Sequence, residues 1–104
     1  MVSRANVILV TVNYRLGALG WLTDASIGLN GNLGFLDQVA ALQWVQRNIK
    51  NFGGDPSQVT LFGQSAGASS IAAHLVSPLS KGLFSKVIVQ SDPFTLPLRE
   101  LNDA

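Results

Sequence analysis

The chain has 104 residues and a mass of 11.0 kDa, which allows one hydrophobic core and excludes a multidomain enzyme within this length. Hydrophobic residues make up 47% and charged residues 12%, with a mean hydropathy of +0.30; this excludes a disordered chain and asks for extensive burial. Seven Lys and Arg stand against six Asp and Glu, a formal net charge of +1, and they are scattered, so no basic face is expected for nucleic acid or anionic lipid.

Cysteine is absent and His74 is the single histidine, which leaves no disulfide framework, no thiolate zinc site and no imidazole cluster; no metal and no cofactor is expected. The apolar residues 7–12 are too few to span a bilayer. Preceded by Arg4 and followed by no small-residue cleavage site, they make no signal peptide, so the compartment is left unspecified. So little charge on so short a chain is less polar surface than a small autonomous domain needs, and the sequence reads like the interior of something larger.

In chain order, residues 6–13, Asn-Val-Ile-Leu-Val-Thr-Val-Asn, are apolar and β-branched without alternation, which predicts a central strand covered on both faces. Glycines at 17, 20, 28, 31 and 34 then predict a long loop over residues 16–34. Leu36, Val39, Leu42, Val45, Ile49 and Phe52 recur at three or four residues, an amphipathic crossover helix stopped by Gly53 and Gly54. A turn at residues 55–57 leads to a short buried strand over residues 59–62, and a helix over residues 66–76 is closed by Pro78. Residues 86–90 are a third strand, ended by Ser91, Asp92 and Pro93. Strand, helix, strand, helix, strand predicts an α/β fold with a parallel sheet and right-handed crossovers.

Gly63, Gln64, Ser65, Ala66 and Gly67 form a G-x-S-x-G sequence between a predicted strand and a predicted helix, the setting of a nucleophile elbow. Side chains two residues before and after the serine would collide with strand and helix, so glycine is expected at both Gly63 and Gly67. The bend would lift the Ser65 Oγ above the carboxyl edge of the sheet, at a helix N-terminus that favours developing negative charge. The Ala66 N–H would then be one oxyanion donor. As a bare pattern G-x-S-x-G is weak, and two other readings stand beside it. In one the glycines serve close packing with Ser65 as a helix cap; in the other the turn cradles a phosphate, although no Lys-Ser/Thr follows the glycines.

The wider sequence carries a resemblance. Residues 12–17 (Val-Asn-Tyr-Arg-Leu-Gly), 31–34 (Gly-Asn-Leu-Gly), 36–38 (Leu-Asp-Gln), 42–46 (Leu-Gln-Trp-Val-Gln), 52–56 (Phe-Gly-Gly-Asp-Pro) and 59–67 (Val-Thr-Leu-Phe-Gly-Gln-Ser-Ala-Gly) set the pattern. It continues with His74-Leu75, Ser77-Pro78, residues 82–84 and Gln90-Ser91. Up to Ser91 the chain resembles the type-B carboxylesterase and cholinesterase family of the α/β-hydrolase fold, with residues 52–67 fitting its serine active-site signature throughout. The resemblance implies Ser65 as nucleophile, Ala66 as an oxyanion donor and Ser91 as a buried serine close to the triad. Gln64 stands where many members carry Glu, Asp92 replaces the usual Gly, and residues 93–104 follow no pattern of the family.

The family places its triad Glu or Asp and its His well beyond the nucleophile, and its glycine-rich oxyanion loop ahead of the strand matched by residues 7–12. Neither has a counterpart here. His74 lies nine residues after Ser65, about half a turn out of phase and roughly 13 Å along a helix, outside the hydrogen-bond reach a general base needs; it is expected to be a packed structural residue, with Asp37 and Asp55 as first-turn and loop residues. In the family's sheet a further strand lies between those matched by residues 7–12 and 59–62, so the first predicted strand would lose its neighbour and its edge would be open to water or to other chains.

The expectation is therefore residues 1–104 as an internal fragment of one carboxylesterase-like α/β-hydrolase domain with an incomplete sheet. It would act on an ester substrate only when complemented or within a longer chain, and would be inactive alone. The alternative is a non-catalytic binding or structural remnant acting through exposed hydrophobic surface.

Overall fold

A computed structural model describes residues 2–93; residues 94–104 lie outside the described part. Four short or long helices and two strands follow one another: α1 (Val2–Ala5), α2 (Gly17–Trp21), α3 (Leu33–Asn48), β1 (Thr60–Gln64), α4 (Ala66–Val76) and β2 (Lys86–Gln90). β1 and β2 pair in parallel, with Thr60 opposite Lys86 and Gln64 opposite Gln90.

The second half matches the sequence reading closely. α3 runs on into a tight turn at Ile49–Phe52, and Gly53 ends it in the left-handed region at φ 82°. α4 and β2 have the predicted limits. β1 begins at Thr60 and continues through Gly63 and Gln64, two residues beyond the predicted end, because each of these pairs across to β2. α4 packs on both strands. It buries Ala68 and Ile71 against them, while α3 contributes Val39, Leu42, Val45 and Ile49 to the core. The two ends of the predicted apolar stripe stay outside: Leu36 and Phe52 are exposed, Phe52 lying beside the Trp44 ring at 5.9 Å. Gln46 ties α3 to the loops around the sheet, its Nε2 donating to the carbonyls of Pro56 (2.7 Å) and Leu83 (3.0 Å).

The first half departs from the reading in two ways. Residues 7–16 form no strand, and residues 7–14 make no backbone hydrogen bond among the described residues. A strand exists only through its neighbours, and the composition of residues 6–13 calls for partners that are not beside it among the described residues. Val7, Ile8, Leu9, Val10 and Val12 are each 40–46% exposed. Leu9, Val10, Thr11 and Val12 form one wall of an open groove of about 380 Å³ whose other wall is Thr60, Leu61 and Phe62. The free sheet faces at Phe62 and Ile88 are exposed as well, as an incomplete sheet requires.

The predicted loop over residues 16–34 is the second departure. It holds α2, a tight turn at Ala25–Ile27 and an isolated bridge between Asp24 and Leu29, and α3 begins at Leu33 rather than Leu36. Asn32 adopts the left-handed region at φ 57°, and its carbonyl accepts from the Leu36 N–H at 3.0 Å, which closes the first turn earlier than the apolar period indicates. An ion pair missed by the sequence reading fastens this half to the helix. The Arg15 guanidinium donates through Nε to Asp37 Oδ2 (2.8 Å) and through Nη2 to Oδ1 (2.7 Å), and the Arg15 N–H adds 3.0 Å to Oδ2. Asp37, expected only as a first-turn residue, is held by this pairing at a pKa of about 2.

Candidate active site

Ser65 stands between the last residue of β1 and the first of α4, with φ 54° and ψ −117°. A non-glycine residue at positive φ costs about 1–3 kcal/mol, so the surrounding bonds must impose it, and two of them are visible. The Ser65 N–H donates to the Gln90 carbonyl at 3.0 Å, extending the β1–β2 register by one residue, while its carbonyl accepts from the Ser69 N–H at 3.0 Å, starting α4. One residue is thus held to a strand at its N–H and to a helix at its carbonyl.

Gly63 is what lets the chain turn this sharply. A Cβ there would lie 2.7 Å and 2.8 Å from the carbonyl carbon and oxygen of Gly67, which are backbone atoms with no room to give. Gly67 itself differs from the expectation. A Cβ added to it meets nothing within 4 Å, because its open side faces the groove between β1 and residues 9–12. Of the two glycines, only Gly63 is demanded by contacts among the described residues.

Gln64, Ser65 and Ala66 are exposed. As the first residue of α4, Ala66 has an N–H with no intrahelical acceptor, and it lies beside the Ser65 hydroxyl at the positive end of the helix. Ser65 makes no side-chain capping bond, which removes the reading of it as a helix cap and leaves its hydroxyl exposed at the N-terminus of α4.

His74 lies on the far part of α4, 4% exposed. Its Nδ1 meets the Ser80 hydroxyl at 2.7 Å and its Nε2 meets Gln38 Oε1 at 3.0 Å, while its ring stacks on Phe35 with centroids 4.3 Å apart. Burial disfavours the imidazolium and pushes its pKa below the ordinary histidine value. Both ring nitrogens are occupied, and none of their partners is Ser65. Asp55, expected in a loop, accepts from the N–H and hydroxyl of Ser57 at 2.8 and 2.7 Å, and these bonds lower its pKa.

Ser91, expected as a buried serine, is instead exposed among the described residues; directly after the residue whose carbonyl holds Ser65, it adopts positive φ, at 53°, because β2 ends at Gln90 and the chain turns away from the sheet there. Asp92 then turns its carboxylate onto α4, where Oδ1 accepts from the Ser69 hydroxyl at 2.6 Å; its Oδ2 is buried without a partner among the described residues. No group of three or more acidic or histidine side chains is arranged to hold a metal among the described residues, and no described helix is long and apolar enough to cross a membrane.

A sequence model described as the carboxylesterase family matches residues 1–100, so the likeness continues past Ser91, where the sequence reading ended it. The "Crystal protein" of Dictyostelium discoideum is 56% identical over 97 residues, 93% of this chain and 17% of the relative. Esterase E4 of Myzus persicae is 57% identical over 84 residues, 81% of this chain and 15% of the relative. Among solved structures, a thermophilic PNB esterase superposes with a TM-score of 0.71 at 53% identity, covering 76% of this chain and 17% of that one. The two parallel strands with their crossover helix are accordingly part of an α/β-hydrolase fold. With a match that takes in the strand, the elbow and both packed helices, the chain belongs to the carboxylesterase family.

Proposed function

We propose that Ser65 is the nucleophile of a serine ester hydrolase. Its Oγ attacks an ester carbonyl, the alcohol leaves, an acyl-enzyme forms on Oγ, and water releases the acid. The observation that carries this reading is the strained backbone of Ser65 between a parallel strand and a helix N-terminus, on a turn that Gly63 alone makes passable. Ala66 serves through its N–H as one oxyanion donor, and Gly63, Gln64 and Gly67 frame the elbow. Gln64 is uncharged, so no carboxylate stands beside the nucleophile on that side to draw in cationic substrates.

The 104 residues act as part of a single hydrolase domain, and the chain by itself does not turn over. The one histidine is engaged with Ser80 and Gln38 inside the core, so Ser65 has no base from it. Serine without a base loses most of its rate advantage. Purified chain assayed with a p-nitrophenyl ester is expected to give no hydrolysis beyond that of its Ser65→Ala variant. Turnover that disappears in the variant would overturn the claim of inactivity.

A second reading, a non-catalytic binding remnant, is favoured by the exposed apolar groove walls at residues 9–12 and 60–62. One stoichiometric partner recovered under native conditions, bound equally by the Ser65→Ala chain, would support it over hydrolysis.

A further inference from the structure

His74 is the buried end of a line of hydrogen bonds that finishes at the nucleophile turn. Gln38 Nε2 donates to the Ser70 hydroxyl at 3.2 Å, and that hydroxyl donates to the Ala66 carbonyl at 3.0 Å. Gln38 turns its nitrogen to Ser70 and its acceptor oxygen, Oε1, to His74 Nε2. An oxygen without a proton can meet only a donor there, so Nε2 carries the proton and, in the neutral ring, Nδ1 accepts from the Ser80 hydroxyl. With that tautomer each hydrogen bond in the line from Ser80 to Ala66 has a defined direction.

We propose that His74 is a positioning residue: by fixing the Gln38 amide it keeps the Ser70 hydroxyl on the Ala66 carbonyl, and so ties the first turn of α4, beside Ser65, to α3. Its bearing on chemistry rests on the proposed role of Ser65; the tie itself does not. A packed aromatic in place of His74 would keep the stacking on Phe35 and lose the tie, since nothing would then orient Gln38. The opposite tautomer would turn the Gln38 amide over, and the Ser70 hydroxyl would leave Ala66 for the Gln38 oxygen.

The groups facing His74 do not compete for the role. α3 presents Phe35 and Gln38, and Asp37 on the same helix is engaged by Arg15. The turn after α4 brings Ser80 to the ring, with Lys81 on the rim of the same hollow. β1 contributes the uncharged Thr60, Leu61 and Phe62, and Tyr14 lines the groove that His74 also reaches. No carboxylate among the described residues faces the ring to stabilise an imidazolium, in keeping with its lowered pKa.

The test is amide hydrogen exchange of the whole chain, resolved by NMR at Ser69 and Ser70, with amides of α3 near Trp44 as the internal reference. His74→Phe is expected to speed exchange at Ser69 and Ser70 about tenfold relative to that reference, the effect of one lost hydrogen bond. His74→Gln restores a donor toward Gln38 and is expected to recover most of the protection. The nitrogen spectrum of the wild-type ring is expected to show Nε2 protonated and Nδ1 unprotonated. If His74→Phe protects the turn as well as histidine does, or His74→Gln is no better than Phe, the residue is packing only and the proposal fails. Should His74→Phe not fold, Ser70→Ala decides: faster exchange at the same amides supports the tie, and unchanged exchange overturns it. Because nothing here depends on turnover, failure of the proposed ester chemistry and failure of the tie give different results.

Discussion

Residues 59–92 and residues 6–34 have similar apolar content and very different fates. The first region finds its strand pairing within itself. β1 finds β2 within thirty residues, α4 covers both, and the Ser65 turn joins strand to helix. The second region holds the most strand-like run of the chain and pairs it with nothing among the described residues. Hydrophobic patterning states what a segment needs, whereas a ladder also requires an edge to pair with, and that edge is a property of the rest of the fold.

Substitutions separate the two regions, starting with the largest effect. Ile71→Ala removes a core side chain that is 5% exposed and should cost about 2–5 kcal/mol, whereas Val10→Ala, on the open groove wall, should cost less than about 0.5 kcal/mol; urea unfolding of both variants measures the gap. Equal costs would mean that residues 7–12 are packed as a strand after all. Within the ordered region the two elbow glycines give a finer contrast. Gly63→Ala drives a Cβ into the Gly67 backbone and should cost about 3 kcal/mol, while Gly67→Ala, in a helix and facing open space, should be neutral or stabilising by up to about 1 kcal/mol. A large loss at Gly67 would show that the groove beside it is filled.

Acid probes the same division. Burial lowers the His74 pKa in the folded chain, so the unfolded chain takes up the proton more readily. Stability should be flat well above the unfolded value of 6.5 and fall as pH drops through and below it; His74→Gln should remove that slope. The smallest effect belongs to the Arg15–Asp37 pair in the first region. Its contribution is complete above the ordinary Asp value of 3.8 and is lost as pH falls toward about 2. Both side chains are substantially solvent-exposed, at 49% and 27%, so Asp37→Asn should shift the urea midpoint slightly at low salt and not at all in about 1 M salt.

What was legible in the sequence follows the same division. Gly53 after an apolar 3.6-residue period, and a short apolar run entering Gly-Gln-Ser-Ala-Gly, are local signals, and the helix stop, α4, β2 and the place of Ser65 followed from them. The early start of α3 was not legible, because Asn32 at positive φ carries no mark in an apolar period. The Arg15–Asp37 pair bridges 22 positions, and the line from His74 to Ala66 depends on Gln38, 36 positions from the ring; spacing along a chain does not encode either. The need for glycine at Gly63 is legible in the motif, whereas a Cβ at Gly67 meets nothing within 4 Å among the described residues, and the motif does not tell the two positions apart.

The central claim is that Ser65 is the nucleophile of an acyl-transfer site that needs the remainder of a hydrolase domain. The most direct measurement places residues 7–91 in the corresponding stretch of a full-length PNB esterase and follows p-nitrophenyl ester hydrolysis with Ser65 intact and as Ser65→Ala. The account predicts turnover by the first chimera and a loss of at least about a thousandfold in kcat in the second. A folded chimera that is inactive with Ser65 present, or equally active without it, would contradict it.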